Sequence, residues 1–319
     1  SGVVHARRCA MSDPRAELAP EVLDALRSAC ASVRAVVDGE LLEAARLRIA
    51  MLLGAEAELG ARPWGDLSPD RRAALAQWST ADCFDARSRD ALALAEQFTI
   101  DVTGVASGPL AAAAGSLGAQ VLPYVQSLFL LDVGQRVAIV LGDLFGTVVT
   151  SDDWAWGADP VDDPMEAVMD LLAAVGRLGG VDPVTRELVR LRGARLHQCR
   201  RCQSVRSVAA LRTGIDAAVF DVDDPSAVAP LDDATTAAIA LVDATFVGPP
   251  SLDPALRDRL VDAFDGAQLV ELASFLLRNA TNKVAVAFGA DEAIVTEGHE
   301  YQIIDADGQT VTVDASALA

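Results

Sequence analysis

Glu187-Leu-Val-Arg-Leu-Arg-Gly-Ala-Arg-Leu196 restates, without a gap, Glu43-Ala-Ala-Arg-Leu-Arg-Ile-Ala-Met-Leu52, which lies 144 positions earlier. The echo continues through both halves of the chain. Ala91-Leu-Ala-Leu-Ala-Glu96 returns as Ala238-Ile-Ala-Leu-Val-Asp243, Phe129-Leu-Leu131 as Phe275-Leu-Leu277, and Val137-Ala-Ile-Val-Leu-Gly142 as Val284-Ala-Val-Ala-Phe-Gly289. Apolar residues recur at helical spacing in these pieces, so each copy reads as a set of helices rather than strands. About half of the 319 residues are apolar, with few aromatics, and alanine and leucine dominate, which suits close-packed helices. The expected fold class is all-α: two tandem helical repeats packed together, with enough chain for a sizeable core.

The repeat sets the boundaries. Residues 1–150 form the first copy, 151–163 a connection, 164–290 the second copy and 291–319 an extension. The connection, Thr150-Ser-Asp-Asp-Trp-Ala-Trp-Gly-Ala-Asp-Pro-Val-Asp-Asp-Pro164, is acidic and turn-rich. Trp154 and Trp156 are expected to anchor it to the helical core. Pro164 then opens a helix running to about Leu178, stopped by Gly179-Gly180. In the extension, Tyr301-Gln-Ile-Ile-Asp-Ala-Asp-Gly-Gln-Thr-Val-Thr-Val313 alternates β-branched residues around Asp307-Gly308, the signal for a short β-hairpin tail.

The chemistry gathers where the copies differ. Cys199-Arg-Arg-Cys202 follows Glu187 by twelve residues, and the equivalent positions of the first copy are Ala55 and Glu58. Cys199 and Cys202 are the only two of the five cysteines close enough in sequence for a local dithiol. Arg200, Arg201 and Arg206 surround them with fixed charge, which favours the thiolate that is the nucleophile of peroxide reduction and disulfide exchange. A helix beginning near Cys199 and ending at Gly214 would place the pair at a positive dipole end and Arg206 four residues beyond Cys202 on the same face. Glu43, with no partner nucleophile, reads as a surface or capping carboxylate.

Glu187, Cys199 and Cys202 resemble, in type and spacing, the active-site pattern of the alkylhydroperoxidase AhpD and carboxymuconolactone decarboxylase family, and Arg186-Glu-Leu-Val-Arg-Leu-Arg192 reads as sequence of that family. The first repeat is then a degenerate copy without the dithiol. The resemblance implies an all-helical domain in which Cys202 becomes a sulfenic acid, Cys199 resolves it and Glu187 accepts a proton. It also implies a hydroperoxide or disulfide substrate, a lipoylated or thioredoxin-like protein reductant, and a homo-oligomer, a trimer before a dimer. The family's final histidine is replaced by Arg206, and Arg201 stands where relatives often have a histidine. Arginine keeps its charge at neutral pH and relays no proton, so Arg206 and Arg201 read as electrostatic support. His197, two residues before Cys199, is the possible base. The alternative is a redox-inactive helical scaffold or oligomeric interaction protein that has lost the family's chemistry. A decarboxylase role would leave the cysteines without a purpose.

Composition excludes other classes. With 46 acidic against 26 basic residues the net charge is −20, which argues against nucleic acid and anionic membrane as partners. No disulfide framework or signal peptide is visible, since Ser1 to Ala10 is short and polar, so the cytoplasm is expected. Zinc would need two ligands beyond Cys199 and Cys202, and His5, His197 and His299 are far apart, so no metal is expected. No Gly-rich phosphate loop implies a nucleotide or flavin cofactor. Val102 to Leu131 carries no charge, but prolines and glycines break it up. Its counterpart near Pro250 to Leu277 is charged, so the segment is expected to be buried against another repeat or subunit, or to cover its own core.

Overall fold

A computed structural model describes residues 13–318. Cys9, His5 and the stretch Ser1 to Ala10 lie outside the described residues. The first half contains five principal helices: α1 (Pro20–Val36), α2 (Gly39–Leu53), α3 (Ala86–Ile100), α4 (Pro109–Leu117) and α5 (Val121–Phe145). The second half repeats them as α6 (Pro164–Gly176), α7 (Pro183–Leu196), then two short helices α8 (Arg200–Ser204) and α9 (Val208–Leu211), and α10 (Asp233–Phe246), α11 (Pro254–Ala263), α12 (Gly266–Ala280) and α13 (Asn282–Ala287). Short polar residues start most of them. Asp38, Asp163, Asp182, Asp232, Asp253 and Asp265 each accept a hydrogen bond from a first-turn N–H, and Pro164, Pro183 and Pro254 follow directly, where a missing N–H costs nothing.

The packing is duplicated as well. In each half the second helix lies against the third and the third against the fourth, as α2 on α3 on α4 and as α7 on α10 on α11. Across the halves like packs on like, α1 against α6 and α5 against α12. The fold is therefore two tandem helical repeats sharing one core, in which Leu26, Leu128, Phe129, Leu241 and Leu276 are almost wholly buried. The uncharged segment divides. Its latter part, from Tyr124, is the buried front of α5, while Ala111, Ala112 and Ala114 of α4 remain exposed. No described helix is long and apolar enough to cross a membrane.

Trp154 ends a one-turn helix, Ser151–Trp154, and packs edge-on against Trp64 with ring centroids 6.2 Å apart. Trp156 is stacked between the Arg34 and Arg62 guanidinium groups, at 4.1 and 3.9 Å. Both anchor the connection to the helices as expected. The extension forms a hairpin of β2 (Glu300–Ile304) and β3 (Thr310–Val313). The sequence leaves open whether it covers a groove, adds to a neighbour or is an ornament. A third strand, β1 (Val205–Ser207), pairs in parallel with β2, Arg206 opposite Tyr301.

That strand corrects one expectation. The helix expected from Cys199 to Gly214 is broken into α8, β1 and α9, because the backbone of Val205–Ser207 pairs with the tail instead of with the turn before it. Dipole support for the cysteines is limited to one short turn, and Arg206 does not share a helical face with Cys202.

Candidate active site

The site is built on α7 and the turn that follows. Glu187 is 2 % exposed, and both its oxygens are held by Arg190, three residues on, at 2.7 Å each. The Ser207 amide donates to it at 3.0 Å. Arg190 goes further: its guanidinium also donates to the carbonyls of Cys202 and Val205, both at 2.7 Å. One arginine thus ties the carboxylate to the backbone of the second cysteine.

The first repeat has the same frame. Arg46 is paired with Glu43 at 2.8 and 2.9 Å and donates to the carbonyl of Glu58, the position equivalent to Cys202. The Trp64 amide stands in for that of Ser207. Glu43 is fully buried, bonded also by Arg72 at 2.8 Å, which corrects its reading as a surface or capping group. The signal for Arg190 was present in the sequence as the Glu-x-x-Arg common to both copies, and was missed.

Helix α7 ends at His197, and Gln198 takes φ +52°, the one described non-glycine residue at positive φ. Its equivalent, Gly54, has φ +67°. In both copies the next amide, Cys199 or Ala55, returns to the carbonyl of Ala194 or Ala50 at 2.9 Å. This left-handed turn aims Cys199 inward. Cys199 is 1 % exposed and is joined by a disulfide to the half-buried Cys202, with Cα atoms 5.3 Å apart. Cys30, by contrast, is sealed in the core, and burial pushes its thiol up to about 12.

Cys202 faces a hollow of about 510 Å³ between α6, α12 and the hairpin. Met169, Leu172, Phe275 and Ile304 give it apolar walls, and Arg190, Arg201 and Arg278 are its cations. No carboxylate lines it among the described residues. Arg201 is exposed and lines the same hollow as Cys202, and its guanidinium has no protein partner among the described residues. Arg278 is 8 % exposed and bonded only to neutral oxygens: the carbonyls of Leu172 at 2.7 Å and Gly308 at 3.1 Å, and the Thr310 hydroxyl at 2.7 Å. Burial and the nearby Arg186 lower it to about 10, so it remains a cation at neutral pH. Arg278 and the tail were not among the residues singled out from sequence.

Two expected groups fall elsewhere. Arg206 turns away from the sulfurs to Asp221 at 2.6 Å and to the carbonyls of Gln203 and Val205, lining a separate hollow with His299. His197 lies between the repeats, edge-on to Phe246 at 4.9 Å and hydrogen-bonded through Nδ1 to Asn282 at 2.8 Å. Burial, then the Lys283 ammonium, pushes it down to about 3, so it is neutral, and it does not line the dithiol's hollow. Glu187 opens on a neighbouring hollow of about 520 Å³ that shares Arg190, Phe275, Gln302 and Ile304 with the first. The carboxylate is therefore coupled to the dithiol through Arg190.

Residues 162–244 match the model of the carboxymuconolactone decarboxylase family. The chain is 35 % identical over 224 residues to the uncharacterized proteins MT2376 and Rv2313c from two strains of Mycobacterium tuberculosis, spanning 68 % of this chain and 78 % of each relative. It is 35 % identical over 97 residues to the uncharacterized protein YnjA of Escherichia coli, 30 % of this chain and 53 % of that one. No solved structure matches. The matched segment contains α7, the Glu187–Arg190 pair and both cysteines, and on that ground the chain belongs to the carboxymuconolactone decarboxylase family.

Proposed function

We propose that the protein is a thiol-dependent hydroperoxidase or disulfide reductase working through Cys199 and Cys202. The observation that carries this reading is the joined pair itself, with Cys202 half-buried against a cation-lined hollow and Cys199 sealed behind it. In the reduced protein the Cys202 thiolate attacks the terminal oxygen of a hydroperoxide. An S–O bond forms, the O–O bond breaks, and the alkoxide leaves as an alcohol after taking a proton. Cys199 then attacks the sulfur of the Cys202 sulfenic acid, and the disulfide forms as water departs with the Cys199 proton. An external dithiol, from a lipoylated or thioredoxin-like protein, takes up the disulfide by exchange and restores the thiols.

Arg201 supplies the charge beside the thiolate. Glu187 was expected to accept a proton; with both oxygens occupied by Arg190, it acts as a positioning residue that holds the arginine on Cys202. The chain would work in the cytoplasm as a homo-oligomer, a trimer before a dimer. A second reading, a redox-inactive scaffold, is favoured by one observation: Glu43, Arg46 and Glu58 keep the same frame without any thiol, so the frame serves structure on its own.

The test is titration of the reduced protein with cumene hydroperoxide at neutral pH, following free thiols and the mass of the peptide that holds both cysteines. Loss of two thiols into a disulfide within that peptide, abolished by Cys202→Ser, supports the peroxidase. Unchanged thiols leave the scaffold.

A further inference from the structure

The chain carries a net charge of −20, yet the hollow at Cys202 has three arginines and no carboxylate on its walls. The duplicate supplies an internal comparison. A hollow of the first repeat that includes Glu58, the counterpart of Cys202, and Ala138, the counterpart of Ala285, holds about 190 Å³ and is lined by Glu56, Glu58 and Asp143, with no cation among the described residues. The two hollows thus overlap at these positions, the smaller one acidic and without thiols, the larger one basic and beside them.

The cations of the dithiol's hollow are not spent alike. Arg190 is neutralised by Glu187, while among the described residues Arg201 has no side-chain partner and Arg278 is satisfied only by neutral oxygens. Their charges are thus left for a ligand. Asn279, on the same wall, has a buried Nδ2 with no acceptor. Two uncompensated guanidinium groups and a free amide donor form a site for a carboxylate, because donors to a charged acceptor make the stronger hydrogen bonds. The apolar remainder of the hollow calls for hydrocarbon attached to that anion. A volume of about 510 Å³ is of small-molecule size and far larger than hydrogen peroxide needs.

We propose that the substrate is an organic hydroperoxide bearing a carboxylate on an apolar chain, with the anion held by Arg201 and Arg278 and the chain lying on Met169, Leu172, Phe275 and Ile304. This rests on the peroxidase reading and narrows it. The redox step is the one already given: the hydroperoxide is reduced to the alcohol and water while the two thiols are oxidised to the disulfide, and the carboxylate is unchanged.

A matched pair of probes tests it: a hydroperoxide of linoleic acid and the methyl ester of the same hydroperoxide, both below the concentration at which they aggregate. The second-order rate of thiol loss in the reduced protein is measured for each. The acid is expected to react about tenfold faster or more, the worth of one charge-assisted hydrogen bond. The ratio should fall toward one in Arg201→Gln and shrink at high salt, where an exposed guanidinium is screened. Arg278→Lys keeps the buried charge and should keep most of the preference. Arg278→Gln should lose it, and circular dichroism checks that this variant is folded. Equal rates for acid and ester, with both oxidising Cys199 and Cys202, overturn the substrate assignment and leave the peroxidase standing. An acid preference that survives in Arg201→Gln and in folded Arg278→Gln overturns the site. No thiol loss with either probe overturns both.

Discussion

Replacing Arg190 by methionine keeps much of the apolar stem and removes the guanidinium that makes four hydrogen bonds, two to Glu187 and one each to the carbonyls of Cys202 and Val205. Glu187, whose side chain is 1 % exposed, would be left with the Ser207 amide alone. One-sided loss of a buried ion pair costs about 3–5 kcal/mol. The two carbonyls belong to half-buried residues that water can reach, so they add no more than about 1 kcal/mol each. The side chain of Arg190 is itself 11 % exposed, which allows some hydration of the abandoned carboxylate and keeps the sum near the lower end. Urea unfolding of the oxidised protein should therefore show a loss of about 3–5 kcal/mol in Arg190→Met. Adding Glu187→Gln removes the stranded charge while an amide oxygen can still accept from Ser207, so the double variant should regain about 2 kcal/mol or more. A single variant within about 1 kcal/mol of the parent, or a double variant no more stable than the single, would refute the idea that this arginine frames the site.

Other outcomes can be stated briefly. Gln198→Gly should be neutral or stabilising by up to about 1 kcal/mol and Gln198→Val destabilising by about 1–2 kcal/mol, since only the left-handed turn is at stake; thermal unfolding decides. His197 is neutral in the fold and held near 3, against an ordinary value of 6.5, so the unfolded chain binds the extra proton. Its contribution is complete above 6.5 and is lost as pH falls toward about 3, at up to about 1.4 kcal/mol per pH unit, and proton NMR should show no titration of the His197 imidazole between pH 8 and 5. A Cβ on Gly308, at φ +83°, would sit 2.0 Å from the Ala173 carbonyl, so Gly308→Ala should loosen the hairpin and speed amide exchange in Val205–Ser207 with the helices intact. Asp291→Ala removes the acceptor of the Arg200 amide and side chain, at 2.9 and 3.0 Å, and should make the disulfide easier to reduce in a dithiothreitol titration.

What could be read from the chain follows the range of the interactions. The helix start at Pro164, the helical spacing of Glu187 to Leu196 and the duplication are local or periodic signals, and all appear in the structure. The cysteine pair and its distance from Glu187 are equally local. The break at Val205 was not legible, because it depends on pairing with Glu300–Ile304, remote in sequence, and nothing in Val205-Arg-Ser207 announces a strand. The direction of Arg206 goes with that break. Burial of Glu43 and the placing of His197 depend on which face of a helix meets the other repeat, and single-copy periodicity does not give that. Arg190 was within reach, since the copies share Glu-x-x-Arg.

Strand β2 lies beside β1 and walls the hollow at Cys202 with Gln302 and Ile304. On the ribosome this order has a cost in time. Of these elements the cysteines emerge first, the helices α10 to α13 next and the hairpin after them, so the thiols are synthesised into an open groove and walled in only once residues 300–313 have been made. During that interval they are open to any small oxidant or disulfide in the surroundings, without selection by charge or shape. The walls that would select a substrate under the reading proposed above are thus acquired only with β2 and β3, and a nascent chain stalled before residue 300 would carry the dithiol without them.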